Sequence, residues 1–376
     1  MKKTVALAFA FLLTVTACGE QNPEPISSWE VSSTVPAIQS DEGVGMVGWN
    51  IGDEFADNLH GNTLYFSEPK GGVWKLSLES GEMEALFPSE TGYAIKEMSV
   101  FGEQVYGLKY SLPPITADVE FDENLPEAES TFINVSGDPE FASIPMDSSA
   151  ANAFVLHGKL YIATTEGIRT VDLATGKKQD IIEGATQRFL YDNGYVYYQG
   201  LKTLEDNFRV YRFPVETPEA IEEFVLEKEG ILRYVVDGTL YLSVNWQGSI
   251  GNTNMTKVTW QGTPEVIEGD EGFSFAHPYR EGFIGINYTK TDTQLVTFDE
   301  NGKQQEILKS VPLDEGVFGN ITSYGERCSY KIYSVYGGIY YELSTVGIVD
   351  ENGIQKEYPF LLETPATESL EESIRS

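Results

Sequence analysis

Short apolar runs separated by turn residues recur along the chain, and residues 233–243 show the pattern most clearly. They read Arg-Tyr-Val-Val-Asp-Gly-Thr-Leu-Tyr-Leu-Ser, in which Asp237 and Gly238 separate two apolar runs. An Asp-Gly pair adopts the positive-φ turn whose twist matches that of two paired strands. This stretch therefore predicts a β-hairpin.

The same hairpin pattern occurs seven times, each time with a glycine before a short apolar strand. The marker glycines are Gly61, Gly102, Gly158, Gly194, Gly238, Gly282 and Gly337. The average interval between markers is about 46 residues, which is typical of β-propeller blades with four strands each.

A second turn pattern follows each marker and predicts another hairpin in every repeat. These turns are expected at residues 78–81, 135–137, 173–176, 215–218, 260–262, 299–302 and 350–353. No stretch shows a sustained helical period. The sequence therefore predicts an all-β fold, a seven-bladed β-propeller of four-stranded antiparallel blades that covers residues 44–360.

The position of a turn within a blade decides on which face of the propeller it lies. The first and third turns share one face, here called the tight-turn face, and they contain the glycines described above. The second turns and the connections between blades share the opposite, long-loop face. Long segments are expected there at residues 109–130, 199–207, 245–253 and 310–327. Because variable loops on a rigid scaffold commonly carry binding residues, this face is the expected binding surface.

The two ends of the chain differ from the repeats. Residues 1–17 combine two lysines with a short apolar run, as in a secretory signal peptide. The sequence Val-Thr-Ala-Cys at 15–18 resembles the lipobox of bacterial lipoproteins, which implies cleavage before Cys18 and attachment of lipid, palmitate among the acyl groups, to this residue. The alternative is an ordinary signal peptide with a chance cysteine. Residues 18–43 are expected to form a flexible tether and residues 361–376 a disordered acidic tail.

Charge and cysteine content restrict the partners and the chemistry. The formal net charge is −33, and removal of residues 1–17, which contain two lysines and no acid, makes it −35. Such a surface repels nucleic acid and anionic lipid and favours cationic partners. Cys18 and Cys328 are the two cysteines. With Cys18 lipidated, no intramolecular disulfide forms, and Cys328 is expected to be a buried structural thiol.

The repeats also carry a family resemblance. Residues 192–198, Asp-Asn-Gly-Tyr-Val-Tyr-Tyr, with 208–212, Phe-Arg-Val-Tyr-Arg, resemble the strand pairs of bacterial lipid-anchored β-propeller proteins with Tyr-rich repeats. Residues 237–242 show the same pattern. These are similar to propeller lipoproteins of the low-density-lipoprotein-receptor-related type. The resemblance covers nearly the whole mature chain and implies a strand pattern and a surface anchor, but no particular reaction.

Candidate ligand-binding residues are the aromatic residues expected in or beside the long segments, with two arginines nearby in sequence. These are Tyr110, Trp246, Tyr288, Tyr324, Arg280 and Arg327. Exposed rings can stack on sugars or hold a peptide. The alternative interpretation is that these rings pack against their own loops.

We find no catalytic or cofactor motif, and we predict no catalytic residue, metal or other cofactor. His60 and His157 precede marker glycines and are expected in turns, whereas a functional role of His277 stays open. Residues 299–302 and 350–353 resemble calcium loops weakly and are better explained as turns. The acidic segment 118–129 is either a solvated insertion, a weak calcium site or a docking loop. Residues 43–48 match a dinucleotide fingerprint without its strand and helix, and an entry strand that closes the repeats is expected there.

These observations favour a non-catalytic, surface-anchored propeller that binds a ligand, protein or glycan, at the cell envelope through its long-loop face. Two alternatives remain open at this point. One is an extracellular enzyme that acts on a glycan or lactone, with carboxylates brought together from different blades. The other is a scaffold in envelope assembly.

Overall fold

The computed structural model describes residues 57–69, 71–88, 93–101, 104–111, 130–137, 143–146, 152–164, 166–184, 186–200, 206, 208–243, 254–273, 276–336 and 340–360. The signal peptide, the tether, the entry strand expected at residues 43–51, the acidic segment, Trp246 and the C-terminal tail lie outside these ranges. Within these ranges we find no helix both long and apolar enough to cross a membrane.

The described residues form 28 strands in seven four-stranded antiparallel sheets. Blades one to three contain β1 Asn58–His60, β2 Thr63–Ser67, β3 Val73–Ser77, β4 Met83–Phe87, β5 Tyr93–Phe101, β6 Gln104–Ser111, β7 Ser130–Asn134, β8 Ile144–Met146, β9 Asn152–Leu156, β10 Lys159–Ala163, β11 Gly167–Asp172 and β12 Lys178–Glu183. Blades four to seven contain β13 Thr186–Asp192, β14 Tyr195–Gly200, β15 Arg209–Pro214, β16 Glu222–Val225, β17 Ile231–Val236, β18 Thr239–Ser243, β19 Asn254–Thr259, β20 Glu265–Glu268, β21 His277–Tyr279, β22 Gly282–Tyr288, β23 Asp292–Phe298, β24 Gln304–Pro312, β25 Val317–Ser323, β26 Cys328–Tyr336, β27 Tyr340–Val349 and β28 Gln355–Pro359.

This arrangement confirms the predicted seven-bladed propeller, and the local backbone shows why the sequence pattern identified it. Asp237 and Gly238 have φ angles of 48° and 74°, and the pairing of Val236 with Thr239 closes the turn between them. The His157-Gly158 turn has the same two positive φ values, 49° and 72°. Glycine tolerates this conformation without a steric penalty, so it marks each such turn in the sequence.

The prediction for blade seven assigned its turns to the wrong residues. Its first turn lies at residues 324–327, between β25 and β26, and contains Gly325 with φ 77°. The second turn of blade seven follows Tyr336, which ends β26, and precedes Tyr340, which begins β27, so the first-turn marker expected at Gly337 falls outside the described residues. The long connector expected at residues 310–327 is replaced by the end of β24, four linking residues and β25.

Apolar side chains of neighbouring blades pack together to form the core. Between blades three and four, for example, the rings of Phe154 and Phe189 lie 4.7 Å apart, and Tyr161 stacks on Phe154 at 5.3 Å. Full burial of a large apolar side chain contributes about 1.5–3 kcal/mol. A similar cluster lies between other pairs of neighbouring blades, so each blade depends on the next.

Buried polar side chains fix the innermost strands to the preceding blade. The Ser99 hydroxyl accepts a hydrogen bond from Val155 N at 3.1 Å, between blades two and three. Gln199 accepts one from Leu232 N at 2.7 Å, between blades four and five, and also donates to a backbone carbonyl of the fifth blade's entry segment. These contacts satisfy backbone groups at the edges of the innermost strands, which would otherwise be buried without partners.

The seam between blades seven and one closes the ring. Each described sheet contains four consecutive strands of the chain, and the contacts described here across this seam are made by side chains. Phe360 makes edge contacts with Phe66 at 5.8 Å and with Trp74 at 5.1 Å. The Tyr358 hydroxyl donates a hydrogen bond to Leu78 O at 3.3 Å.

The closing seam also contains a fully buried ion pair. Lys331 Nζ lies 2.5 Å from Asp57 Oδ1, and neither side chain is exposed to solvent. The ammonium also donates to Ser67 O at 2.9 Å, and the Ser329 hydroxyl donates to Asp57 Oδ2 at 3.1 Å. Burial raises the pKa of Asp57, and the positive charge and hydrogen bond of Lys331 offset part of this shift.

Candidate functional site

The connections between blades are hydrogen-bonded to the second turns on the long-loop face. Gly184 N donates to Glu166 O in blade three, Leu226 N to Phe208 O in blade four and Leu313 N to Thr291 O in blade six. Each pair brings the residue after an outer strand next to the second turn of the same blade. In blades three, four and six the described part of this face is therefore built from two hydrogen-bonded segments.

Among the described residues of this face, Tyr288 is the most exposed large apolar side chain, at 60%. It ends β22 and pairs with Thr293, so both side chains lie on the same side of the sheet. The Thr293 hydroxyl accepts a hydrogen bond from Phe318 N of blade seven, which shows that this side faces blade seven. Tyr288 thus stands at the rim of the seam between blades six and seven, where the structure supports its predicted exposure on the long-loop face.

Two further apolar side chains are exposed at the positions where a connection is hydrogen-bonded to a second turn. Leu313 and Phe208 are each 37% exposed. Leu313 lies beyond the end of β24 in blade six, the blade that carries Tyr288. Neither residue was singled out in the sequence, because an isolated leucine or phenylalanine beside a turn cannot be distinguished from a core residue without its neighbours.

Most exposed charged side chains in the described second turns and connections are acidic. These residues are Glu166, Glu227, Glu229, Glu271, Asp314 and Glu315, and the exposed Glu183 ends the outer strand of blade three. Lys228 and Lys290 are the exposed lysines in the same described segments. The described part of the long-loop face thus combines a negative field with a few large apolar groups.

A shallow cleft of about 410 Å³ lies at the long-loop end of blade three. The Arg169 guanidinium is held there by Asp180 Oδ1 and Glu166 Oε2, each at 2.6 Å, with Ile182 and Glu183 in the wall. Arg169 is satisfied by these two carboxylates. The cleft therefore presents a mainly acidic lining rather than an unpaired cation.

Tyr110 lies near the end of β6, at the start of the long second turn of blade two. It is only partly exposed, and its neighbour Lys109 places its ammonium 4.1 Å from the ring centre of Tyr93 and 5.7 Å from that of Phe87. This cation–π group covers the junction of blades one and two. The structure thus places Tyr110 on the predicted face. It lies in blade two, whereas Tyr288 lies in blade six.

Three of the predicted ligand-binding residues lie on the other face. Arg280 is in the first turn of blade six, and Tyr324 and Arg327 are in the first turn of blade seven. Because the first turn of blade seven was assigned to a long connector, the sequence interpretation placed Tyr324 and Arg327 on the wrong face. The candidate residues do not form one site.

The two arginines of the tight-turn face bind the third turn of blade seven. Arg280 Nη2 donates to Glu351 O, and Arg327 Nε lies 2.8 Å from Glu351 Oε2. The Tyr279 hydroxyl donates to Asp350 O at 3.1 Å. Backbone hydrogen bonding and the Arg327 guanidinium lower the pKa of Glu351. These contacts fasten blade six to blade seven, which explains both arginines within the fold.

Tyr324 belongs to the polar group of the closing seam. Its hydroxyl lies 3.1 Å from the Ser329 hydroxyl, which in turn donates to Asp57. Burial raises the pKa of Tyr324 well above its ordinary value, and the nearby Asp57 carboxylate adds to the shift. Asp57 and Lys331 themselves were missed in the sequence. One signal was available, a lysine in the middle of the alternating strand 327–333.

The remaining candidates have structural surroundings. Cys328 is fully buried, as predicted, and burial raises its pKa to about 12, so the thiol stays protonated at neutral pH. His157 occupies its predicted turn, and His277 is buried beside the ring of Tyr234 at 5.1 Å. The predicted turns at residues 299–302 and 350–353 are confirmed, with Asp299 and Asp350 each accepting two backbone hydrogen bonds within the turn.

Searches for metal-binding clusters among the described residues and for matching sequences do not indicate a reaction or a ligand. In the described ranges no group of three or more His, Cys, Asp or Glu side chains is placed to hold a metal ion. No protein-family model matches the sequence. No curated protein matches it either.

Solved structures show the likeness of fold. The chain is similar to a structure from a study of two prolyl endopeptidases, with a TM-score of 0.53 and 12% identity over 86% of this chain and 52% of that chain. It spans about half the length of that protein. A virginiamycin B lyase from Staphylococcus aureus matches with a TM-score of 0.38 and 11% identity, over 87% of each chain. A chain of a nidogen/laminin complex matches with a TM-score of 0.41 and 12% identity, over 65% of this chain and 92% of that chain. At these identities the first match concerns the propeller fold alone, and the other two support no further statement.

Proposed function

We propose that this protein is a lipoprotein of the cell envelope, anchored through Cys18, whose propeller binds a basic protein partner through the long-loop face. The observation that carries the proposal is Tyr288, a 60% exposed aromatic ring at the rim of blades six and seven. Large exposed aromatic residues are frequent anchors of protein interfaces. The anchor rests on the lipobox-like sequence at 15–18 and on the signal-like residues before it.

The chemistry of the partner follows from charge and exposed apolar area. Tyr288 and Leu313 share blade six with Asp314 and Glu315, and the whole chain has a formal charge of −33. A negative surface steers positively charged partners and repels negative ones. The partner is therefore a protein segment that combines lysine or arginine with an aromatic or aliphatic residue, rather than an acidic polymer.

The binding part of the proposal is tested with synthetic peptides and glycans. The full chain is melted alone and in the presence of a lysine–tryptophan peptide, a glutamate–tryptophan peptide of equal length, or soluble peptidoglycan fragments. We expect the lysine peptide to raise the melting temperature in a saturable way, since a ligand that binds the folded state stabilises it. A shift with glycan but not with either peptide, or turnover of a glycan or lactone, contradicts a protein-binding role and favours the enzyme alternative.

The anchor is tested separately. In the native host, the wild-type chain is expected in the membrane fraction, and the Cys18→Ala chain in a soluble or unprocessed form, because acylation of Cys18 supplies the attachment. Metabolic labelling with palmitate is expected to mark the wild type and not the variant. Equal labelling and equal fractionation of both chains would show that Cys18 is not the attachment point.

A further inference from the structure

The buried ion pair of the closing seam brings an amine and a carboxyl group into direct contact. Lys331 Nζ and Asp57 Oδ1 are 2.5 Å apart, and both side chains are fully removed from solvent. Two fixed contacts hold the groups in place: Lys331 donates to Ser67 O, and Ser329 donates to Asp57 Oδ2. The two residues belong to blade seven and to the segment that enters blade one, so a bond between them would join the first and last blades.

Burial favours the neutral carboxylic acid of Asp57, the form from which such a bond is made. A charged pair without solvent carries a large desolvation cost, and condensation would replace both charges with one neutral amide. Burial raises the pKa of Asp57, in the direction that favours this neutral acid. Groups held in contact react with a very high effective concentration, which offsets the low reactivity of an acid toward an amine in water.

We propose that Lys331 and Asp57 condense in the folded protein to form an isopeptide bond that closes the propeller covalently. This modification is independent of the binding role proposed above. Its product is a neutral amide in place of two buried charges. It links the terminal blades where the described strands offer no shared sheet.

The condensation balances without an oxidant, a reductant or a co-reactant. Lys331 Nζ attacks Asp57 Cγ, the new N–C bond forms, and the bond between Cγ and Oδ2 breaks. Oδ2 leaves as water with the two protons that the ammonium nitrogen loses. The Ser329 hydroxyl at 3.1 Å from Oδ2, and the Tyr324 hydroxyl at 3.1 Å from Ser329, provide a route for the proton that reaches the leaving oxygen. Tyr324 and Ser329 are thus positioning groups in this scheme.

The bond is tested by mass spectrometry of the full chain, folded and then denatured. A protease that cuts after glutamate, but not before proline as at Glu68-Pro69, releases residues 55–79 with Asp57 and residues 327–342 with Lys331. We expect a joined species whose mass is the sum of these two peptides less one water. Trypsin is expected not to cut after Lys331, because an acylated lysine is not its substrate.

Two variants serve as controls. Lys331→Arg keeps a cation opposite Asp57, but its guanidinium stays protonated and cannot act as the attacking amine, so the joined species is expected to disappear. Asp57→Asn is expected to give the same joined species with loss of ammonia instead of water. If the folded wild-type chain yields both peptides separately at their full masses and no joined species, the pair is an ion pair only and the proposal is wrong.

Discussion

The two faces of the propeller present similar exposed residues in different surroundings. Tyr288 on the long-loop face is 60% exposed, and Ile354 on the tight-turn face is 56% exposed. Ile354 belongs to a turn in which Asp350 Oδ1 accepts hydrogen bonds from Asn352 N and from Ile354 N, each at 2.9 Å. Tyr288 precedes the second turn of blade six, and the connection that follows the same blade contains the exposed Asp314 and Glu315.

This difference supports the proposal that one face contributes mainly to stability and the other face to binding. On the tight-turn face the polar side chains are used within the fold, as Arg280 and Arg327 show by their contacts with Glu351. On the described part of the long-loop face the exposed side chains are mostly acidic or apolar, with Lys228 and Lys290 as exposed lysines. A single exposed aliphatic residue is ordinary, whereas large exposed aromatic residues are frequent anchors of interfaces, which is why the proposed interface is centred on Tyr288.

The largest expected effect comes from disrupting the closing seam between blades seven and one, on which both faces depend. Lys331→Ala leaves the Asp57 carboxyl group buried without a partner and also removes the proposed covalent closure, so it should lower the free energy of unfolding by about 3–5 kcal/mol or more. Urea denaturation followed by circular dichroism measures this change. The matched control is Lys303→Ala, which removes an exposed pair with Asp270 and should cost about 0–1 kcal/mol. An equal decrease in the free energy of unfolding for the two variants would show that the buried pair stabilises the protein no more than an exposed ion pair does.

Alkaline pH should lower the stability of the folded protein through the buried tyrosine and cysteine side chains. Burial raises the pKa of Cys328 and of Tyr279 to about 12, and it also raises the pKa of Tyr161 and Tyr330. The folded state therefore resists ionisation that the unfolded chain undergoes near pH 9 to 10. This stability is complete below that range and is lost as the pH rises toward 12, by about 1.4 kcal/mol per pH unit for each such group. Melting temperatures that stay constant between about pH 8 and pH 11 would contradict this account.

A smaller effect is expected on the tight-turn face. Asp350→Ala removes the acceptor of two backbone hydrogen bonds and should lower the free energy of unfolding by about 1 kcal/mol, without a change in peptide binding. Asn352→Ala, in the same turn, keeps the backbone donor and should change stability by less than about 0.5 kcal/mol. Weaker peptide binding by a folded Asp350→Ala chain would place the interface on the tight-turn face instead.

Most of the fold could be predicted because each turn depends on its own residues. Asp237-Gly238 and His157-Gly158 have the positive φ angles that their sequences indicate. The same locality explains the mistake in blade seven. In the sequence Gly325 and Gly337 each indicate a break between strands, and a glycine does not record whether the break is the first or the second turn of its blade.

The candidate site could be predicted only in part because it depends on neighbours in space. Tyr288 and Tyr110 lie on the predicted face, whereas Arg280, Arg327 and Tyr324 do not. The contact between Asp57 and Lys331 joins residues at opposite ends of the propeller sequence and leaves no local spacing. The exposure of Leu313 and Phe208 likewise depends on how separate segments pack together, and this packing cannot be read from the sequence.

The most direct test of the account compares Tyr288→Ala with Ile354→Ala in binding to the lysine–tryptophan peptide. Both variants remove a similarly exposed apolar side chain and should keep the wild-type melting temperature. We expect the Kd to rise about tenfold or more for Tyr288→Ala, equivalent to at least about 1.4 kcal/mol, and to stay unchanged for Ile354→Ala. An unchanged Kd for Tyr288→Ala, an equal rise for both variants, or no binding by the wild type would contradict the assignment of the long-loop face as the interface.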